Sequence, residues 1–107
     1  MKMLKDWLKE TTKMVDLGFA TMMEIRPQIN CADGFTISVQ ASENHYCTPR
    51  ENLNDGSYTE LELGFPSEKV DSLYEYAEEP TNPTETVYAY VPIELVEKII
   101  SEHGGIK

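Results

Sequence analysis

The densest run of chemically versatile side chains is Glu43-Asn44-His45-Tyr46-Cys47-Thr48-Pro49-Arg50-Glu51. His45 and Cys47 stand two residues apart, and a thiolate nucleophile wants a base within hydrogen-bond reach. The run specifies no third group to orient that base, and no helix N-terminus to lower the thiol pKa. A turn in which His45 or Tyr46 plugs the end of a sheet accounts for the same residues. Arg50 could grip an anionic ligand bidentately. His45, Tyr46, Cys47 and Arg50 therefore make one candidate ligand site, on a polar loop of the kind that often carries function. Cys31, His45, Cys47 and His103 are the right donor types for zinc, but they contain neither a C-x₂-C nor an H-x₃₋₅-H pair. No Gly-rich phosphate loop, G-x-S-x-G elbow or H-E-x-x-H occurs. The expectation is a protein that is not an enzyme and carries no metal or cofactor.

A second constellation is spread over the C-terminal half. Carboxylates come in pairs at Glu60/Glu62, Glu78/Glu79 and Glu94/Glu97, none flanked by the apolar residues that would raise a pKa for acid catalysis. Tyr58, Tyr88 and Tyr90 fall by strict alternation on the same sheet face as Glu60 and Glu62. An acidic surface studded with tyrosines suits protein binding, because Tyr gives contact area at low entropic cost. The expected partner-binding set is Tyr58, Glu60, Glu62, Glu78, Glu79, Tyr88 and Tyr90. The competing reading is that a helix, the N-terminal one foremost, covers this face and buries the rings.

The elements that must position these groups are legible in part. Leu4, Trp7, Leu8, Thr11, Met14 and Val15 recur at three- and four-residue spacing and predict a helix over residues 3–15, with Gly18 as its stop. Lys2, Lys5, Lys9 and Lys13 lie mostly off its apolar stripe. Residues 21–31 are ambiguous, since Pro27 forbids a central strand position. Phe35, Ile37, Val39 and Ala41 alternate with polar residues and predict a strand. The preceding Asp33-Gly34 is a turn signal, so residues 28–31 and 35–41 are expected to form an antiparallel hairpin. Residues 42–56 read as a loop. Residues 58–65 alternate again, with Thr59, Leu61, Leu63 and Phe65 inward. Ser67 opens a short helical stretch to Tyr76, and a Pro/Asn/Thr-rich connection follows. Residues 85–91 form the last strand, with Val87, Ala89 and Val91 on one face. Pro92 starts a terminal helix with Val96, Ile99, Ile100 and His103 buried, closed by Gly104-Gly105 and Ile106 in a Schellman-type cap. This order predicts an α+β fold: a three- to four-stranded, mostly antiparallel sheet with N-terminal and C-terminal helices packed on it.

The chain has 107 residues and is 40% hydrophobic, which suits one small core and one domain. Residues 1–18 read as a helical appendage to it. Nineteen acidic residues face nine basic ones, for a formal charge of -10. Most of the excess lies between Glu51 and Glu102, where the only bases are Lys69 and Lys98. Such a charge argues against direct binding to nucleic acid or an anionic membrane, both polyanions. No apolar run is long enough to span a membrane and no signal peptide is visible. A cytoplasmic location with reduced Cys31 and Cys47 is the expectation.

Three segments together resemble a family of small acidic proteins carried by phages, prophages and mobile elements. They are Ala32-Asp33-Gly34-Phe35-Thr36-Ile37-Ser38-Val39-Gln40-Ala41-Ser42 with His45-Tyr46-Cys47-Thr48-Pro49-Arg50; Gly64-Phe65-Pro66-Ser67; and Tyr88-Ala89-Tyr90-Val91-Pro92-Ile93-Glu94 running to His103-Gly104-Gly105-Ile106. The resemblance covers roughly residues 30–106, implies a protein acting inside a bacterial host, and carries no catalytic residues. Combined with the charge, it suggests a binder of a basic site on a host protein. An anti-defence, anti-CRISPR-like inhibitor that mimics nucleic-acid charge is the concrete version, its carboxylates standing where phosphates would. The alternatives are a small-ligand or metal-binding protein using the loop 45–50, and a minor structural or assembly protein.

Overall fold

The structure, a computed structural model, describes residues 3–11, 14–18, 21–53 and 55–107, and only the backbone of 14–18 and 21–24. The elements are α1 (Leu4–Glu10), β1 (Met14–Gly18), β2 (Thr21–Glu24), β3 (Ile29–Asn30), β4 (Thr36–Gln40), β5 (Glu60–Gly64), a 3₁₀ segment (Asp71–Tyr76), β6 (Val87–Pro92) and α2 (Ile93–Glu102). The last four strands form one antiparallel sheet in the order β3-β4-β5-β6. With a helix at each end of the chain, this is the α+β fold the sequence predicts. Among the described residues, no helix is long and apolar enough to cross a membrane.

Alternation builds the core. Ile37 and Val39 of β4 and Leu61 and Leu63 of β5 are buried, and their polar neighbours Thr36, Ser38, Gln40, Glu60 and Glu62 are half-buried on the opposite face. Val96, Ile99 and Ile100 of α2 close the core from the inner side. After α2, Gly105 N–H reaches Ile100 O at 2.9 Å and Gly104 N–H reaches Ser101 O at 3.1 Å, the bond pair of a Schellman cap. The tail then lies along β3: Lys107 N–H donates to Asn30 O at 2.8 Å, and Cys31 pairs with Ile106. At the other edge, Ala77 pairs with Tyr88 and Glu78 N–H donates to Val87 O at 3.0 Å. Both edges of the sheet are thus occupied, which blocks strand addition by another chain.

The predicted N-terminal helix is cut short. Thr11 sends its N–H and its hydroxyl to Trp7 O, at 3.0 and 2.6 Å, and ends α1 there. Met14 and Val15, assigned to the helical stripe, lie in β1, which pairs with β2 across Gly18 and Thr21. Three- and four-residue spacing carried past Thr11 only by coincidence, and Gly18 closes a strand instead of a helix. Lys2 and Lys13 lie outside the described residues. Leu4, Trp7 and Leu8 join the core, so α1 is an integral part of it rather than an appendage. Its backbone rests on Gly56, where φ is +71° and a Cβ would sit 2.7 Å from Lys5 O.

Arg26 joins these parts. Its side chain is 2% exposed, and the guanidinium donates to Leu8 O at 3.3 and 3.1 Å and to Ala41 O at 2.5 Å. Gln40 grips the same residue's backbone: Arg26 N–H reaches Gln40 Oε1 at 2.8 Å, and Gln40 Nε2 donates to Arg26 O at 2.7 Å. One cation therefore ties the end of α1 to the end of β4.

Candidate interaction face

Strict alternation places Tyr58, Tyr88 and Tyr90 on one outer face, and only Tyr90 is there. Tyr88 is 1% exposed and Tyr58 is 3% exposed. The cause at Tyr88 is a bulge. Leu61 pairs with Val91 but Leu63 pairs with Tyr88, so Ala89 and Tyr90 together oppose Glu62. The extra residue shifts the phase and turns both Tyr88 and Val91 inward. Tyr88 satisfies its hydroxyl on Pro83 O at 2.5 Å. Tyr58 precedes β5 and is out of phase with it. Its hydroxyl donates to Glu51 O and accepts from Leu53 N–H, both at 2.8 Å, anchoring the 42–56 loop. Phe65, expected inward, follows the end of β5 with φ of +51° and is half exposed. Thr86, paired with the outward tyrosines by alternation, is buried, whereas Val87 and Ala89 are half-buried.

The bulge also creates the site. Tyr90 takes φ of +53°, a conformation uncommon for any residue but glycine. That turn lifts its ring outward against Tyr46, with centroids 6.0 Å apart and planes inclined by 45°. Tyr90 N–H donates to Tyr46 O at 3.0 Å, and Tyr46 N–H donates to Glu62 Oε1 at 3.2 Å. Thr48 hydroxyl donates to Glu60 Oε1 at 2.5 Å. The guanidinium of Arg50 lies 5.3 Å above the Tyr46 ring. The loop residues Tyr46 and Arg50 and the sheet residues Glu60, Glu62 and Tyr90, which the sequence presents as two separate candidates, thus belong to one surface. α1 does not bury it.

Burial raises the Glu62 carboxyl pKa, the Tyr46 N–H opposes that, the nearby Glu78 carboxylate adds to it, and Arg50 opposes it. Glu62 is therefore a carboxylate held at some cost where a cation would be welcome. Glu78 shares this electrostatic neighbourhood. Glu79 is exposed in the following turn, with its N–H on Thr86 Oγ1 at 2.9 Å.

His45 and Cys47 turn away from this surface. His45 is 6% exposed, its Nδ1 lies 2.6 Å from Ser42 Oγ, and burial, with the Arg26 and Arg50 charges, pushes its pKa down. Cys47 is 1% exposed, its Sγ is 3.2 Å from Ser42 O and 3.3 Å from Pro49 O, and burial pushes the thiol up. Such a thiol is protonated at neutral pH and a poor nucleophile. Cys31 is also free, buried and raised, first by desolvation and then by Asp33. Neither thiol is expected to react with an aromatic disulfide reagent in the folded protein at pH 7.5. Both are expected to react within minutes in about 6 M guanidinium; prompt native reaction of either would contradict this packing. Among the described residues, no cluster of three or more His, Cys, Asp or Glu side chains could hold a metal ion. The Cys31, His45, Cys47 and His103 set is accordingly not gathered.

His103 has a different role. Its ring stacks on Phe35, centroids 3.9 Å apart and planes within 8°, and Nδ1 lies 2.7 Å from Asp33 Oδ2. The Phe35 N–H and then His103 hold the Asp33 carboxyl below the usual range. This latch fixes the end of α2 to the β3–β4 turn, where Asp33 N–H also donates to His103 O at 3.2 Å. The sequence pattern places His103 at the helix end and carries no signal for a partner 70 residues away.

No family model matches the chain, and no curated protein or solved structure matches it.

Proposed function

We propose that this chain is a non-enzymatic binding protein that docks its Tyr46–Glu62–Tyr90 face on a basic site of a host protein. The observation that carries the reading is a pair of exposed aromatic rings beside Glu60 and Glu62 on a sheet face that, among the described residues, no helix buries. Tyrosine is among the residues most enriched in binding hot spots. The formal charge of -10 gives complementarity to a cationic surface and steers its approach. A site that normally holds nucleic-acid phosphates fits that chemistry, with Glu60, Glu62, Glu78 and Glu79 in place of phosphates. The phage-borne, anti-CRISPR-like context suggested by the sequence is the biological setting we attach to it, in the cytoplasm of a bacterial host. Tyr58 and Tyr88 have no part in the surface.

The test is capture from bacterial lysate with tagged wild type and with the Glu60→Lys/Glu62→Lys double variant. Wild type is expected to retain a nucleic-acid-binding protein that duplex DNA displaces and about 0.5 M salt sheds, as the Debye length falls from about 10 Å at 0.1 M. The double variant is expected to lose at least about 30-fold in affinity for that protein. Equal retention by the two, or retention insensitive to both DNA and salt, would overturn the reading.

A further inference from the structure

We propose that the exposed face of the Tyr46 ring, beside the Glu62 carboxylate, receives an arginine side chain of the partner, and that Arg50 stands in for it in the free protein. The inference rests on the docking reading above and specifies the partner's chemistry. The chain already shows which cation the ring accepts: the Arg50 guanidinium lies over the Tyr46 face at 5.3 Å. Arg50 is exposed, and its guanidinium makes no hydrogen bond and no ion pair within 4 Å among the described residues. It is held by the ring and by the local negative charge alone, so it can leave without stranding a buried polar group.

The Glu62 carboxylate is set up for more than Arg50 supplies. Glu62 accepts one hydrogen bond, from Tyr46 N–H, and its second oxygen has no partner among the described residues. A guanidinium taking the place of Arg50 over the Tyr46 ring would stack by cation–π attraction, and one set nearer the sheet could donate to that oxygen. Its planar fork and weak hydration favour it over an ammonium for both contacts. The backbone fixes these groups relative to one another beforehand. Tyr90 N–H is fixed on Tyr46 O and Tyr46 N–H on Glu62, so the two rings and the carboxylate share one hydrogen-bonded frame.

The test uses the whole chain and three blocked pentapeptides with a central arginine, lysine or citrulline between glycines. Ring-proton shifts of Tyr46 and Tyr90 are followed by NMR in wild type, Arg50→Gln and Lys98→Gln. Lys98 is exposed on α2, beyond the other face of the sheet, and controls for the loss of one positive charge. The arginine peptide is expected to shift both rings in wild type and to bind Arg50→Gln about 2- to 5-fold tighter, the worth of an exposed cation–π contact. The lysine peptide is expected to bind more weakly than arginine in both, and citrulline not at all. No gain in Arg50→Gln, or an equal gain in Lys98→Gln, would remove Arg50 as the stand-in. Ring shifts no larger with arginine than with citrulline would remove the arginine receptor. If the Glu60→Lys/Glu62→Lys variant still loses the captured protein in either case, the docking surface survives and only its specificity is wrong.

Discussion

Arg26→Met is expected to lower unfolding stability by about 3 kcal/mol or more, among the largest effects of any single substitution in the chain. The guanidinium is buried and donates three hydrogen bonds to two carbonyls, two of them to Leu8 O at the end of α1 and one to Ala41 O just past β4. Hydrogen bonds to a charged group contribute about 1.5–3 kcal/mol each, and a buried carbonyl left without a donor costs about 1–3 kcal/mol. Methionine fills most of the volume and supplies none of the donors. Arg26→Lys is expected to recover only part of the loss, because a single ammonium cannot span two carbonyls with the geometry of a planar fork. Urea unfolding followed by circular dichroism measures both. For a domain whose whole stability is about 5–15 kcal/mol, the methionine variant should be partly unfolded at 37 °C. A loss under about 0.5 kcal/mol would mean that α1 is held by its apolar residues alone.

Tyr90 separates binding from folding. Tyr90→Gly is expected to cost at least about 2 kcal/mol of partner affinity, the scale of an aromatic hot spot, while stability stays within about 1 kcal/mol of wild type. Two terms offset. Losing the ring contact with Tyr46 removes roughly 0.5–1.5 kcal/mol. Placing glycine at φ of +53° releases a left-handed strain of about 1–2 kcal/mol that a side chain pays there. Tyr90→Ala loses the same ring and keeps the strain, so it should be about 1 kcal/mol less stable than Tyr90→Gly and bind just as poorly. Thermal unfolding of the pair reads the strain, and capture of the partner reads the ring. Equal stabilities would mean the bulge relaxes without its tyrosine. Full binding by either variant would take the tyrosine out of the interface.

Local pattern was enough for much of the scaffold. Alternation at Ile37/Val39 and Leu61/Leu63, the Asp33-Gly34 turn, and Pro92 followed by an apolar stripe and Gly104-Gly105 each act within a few residues, and the strands, hairpin and terminal helix stand where they indicate. The ambiguity over residues 21–31 and the extension of the N-terminal helix past Thr11 came from the same source. Three- and four-residue spacing of Met14 and Val15 looks helical until β2 is there to pair with them.

The site itself was decided by tertiary structure. Residue types alone gathered Glu60, Glu62 and Tyr90 on one side, and His45, Tyr46, Cys47 and Arg50 on another. A bulge of one residue opposite Glu62 then buried Tyr88 and exposed Tyr90, which no reading of a period-two pattern contains, since the extra residue exists only relative to a partner strand. Burial of the loop divided its four candidates, sending His45 and Cys47 inward and leaving Tyr46 and Arg50 at the surface. Composition by itself determined the sign of the field, because charge sums whatever the fold. Only the packed chain determined that Tyr46, Glu62 and Tyr90 stand together, because that depends on strand register and on the bulge opposite Glu62.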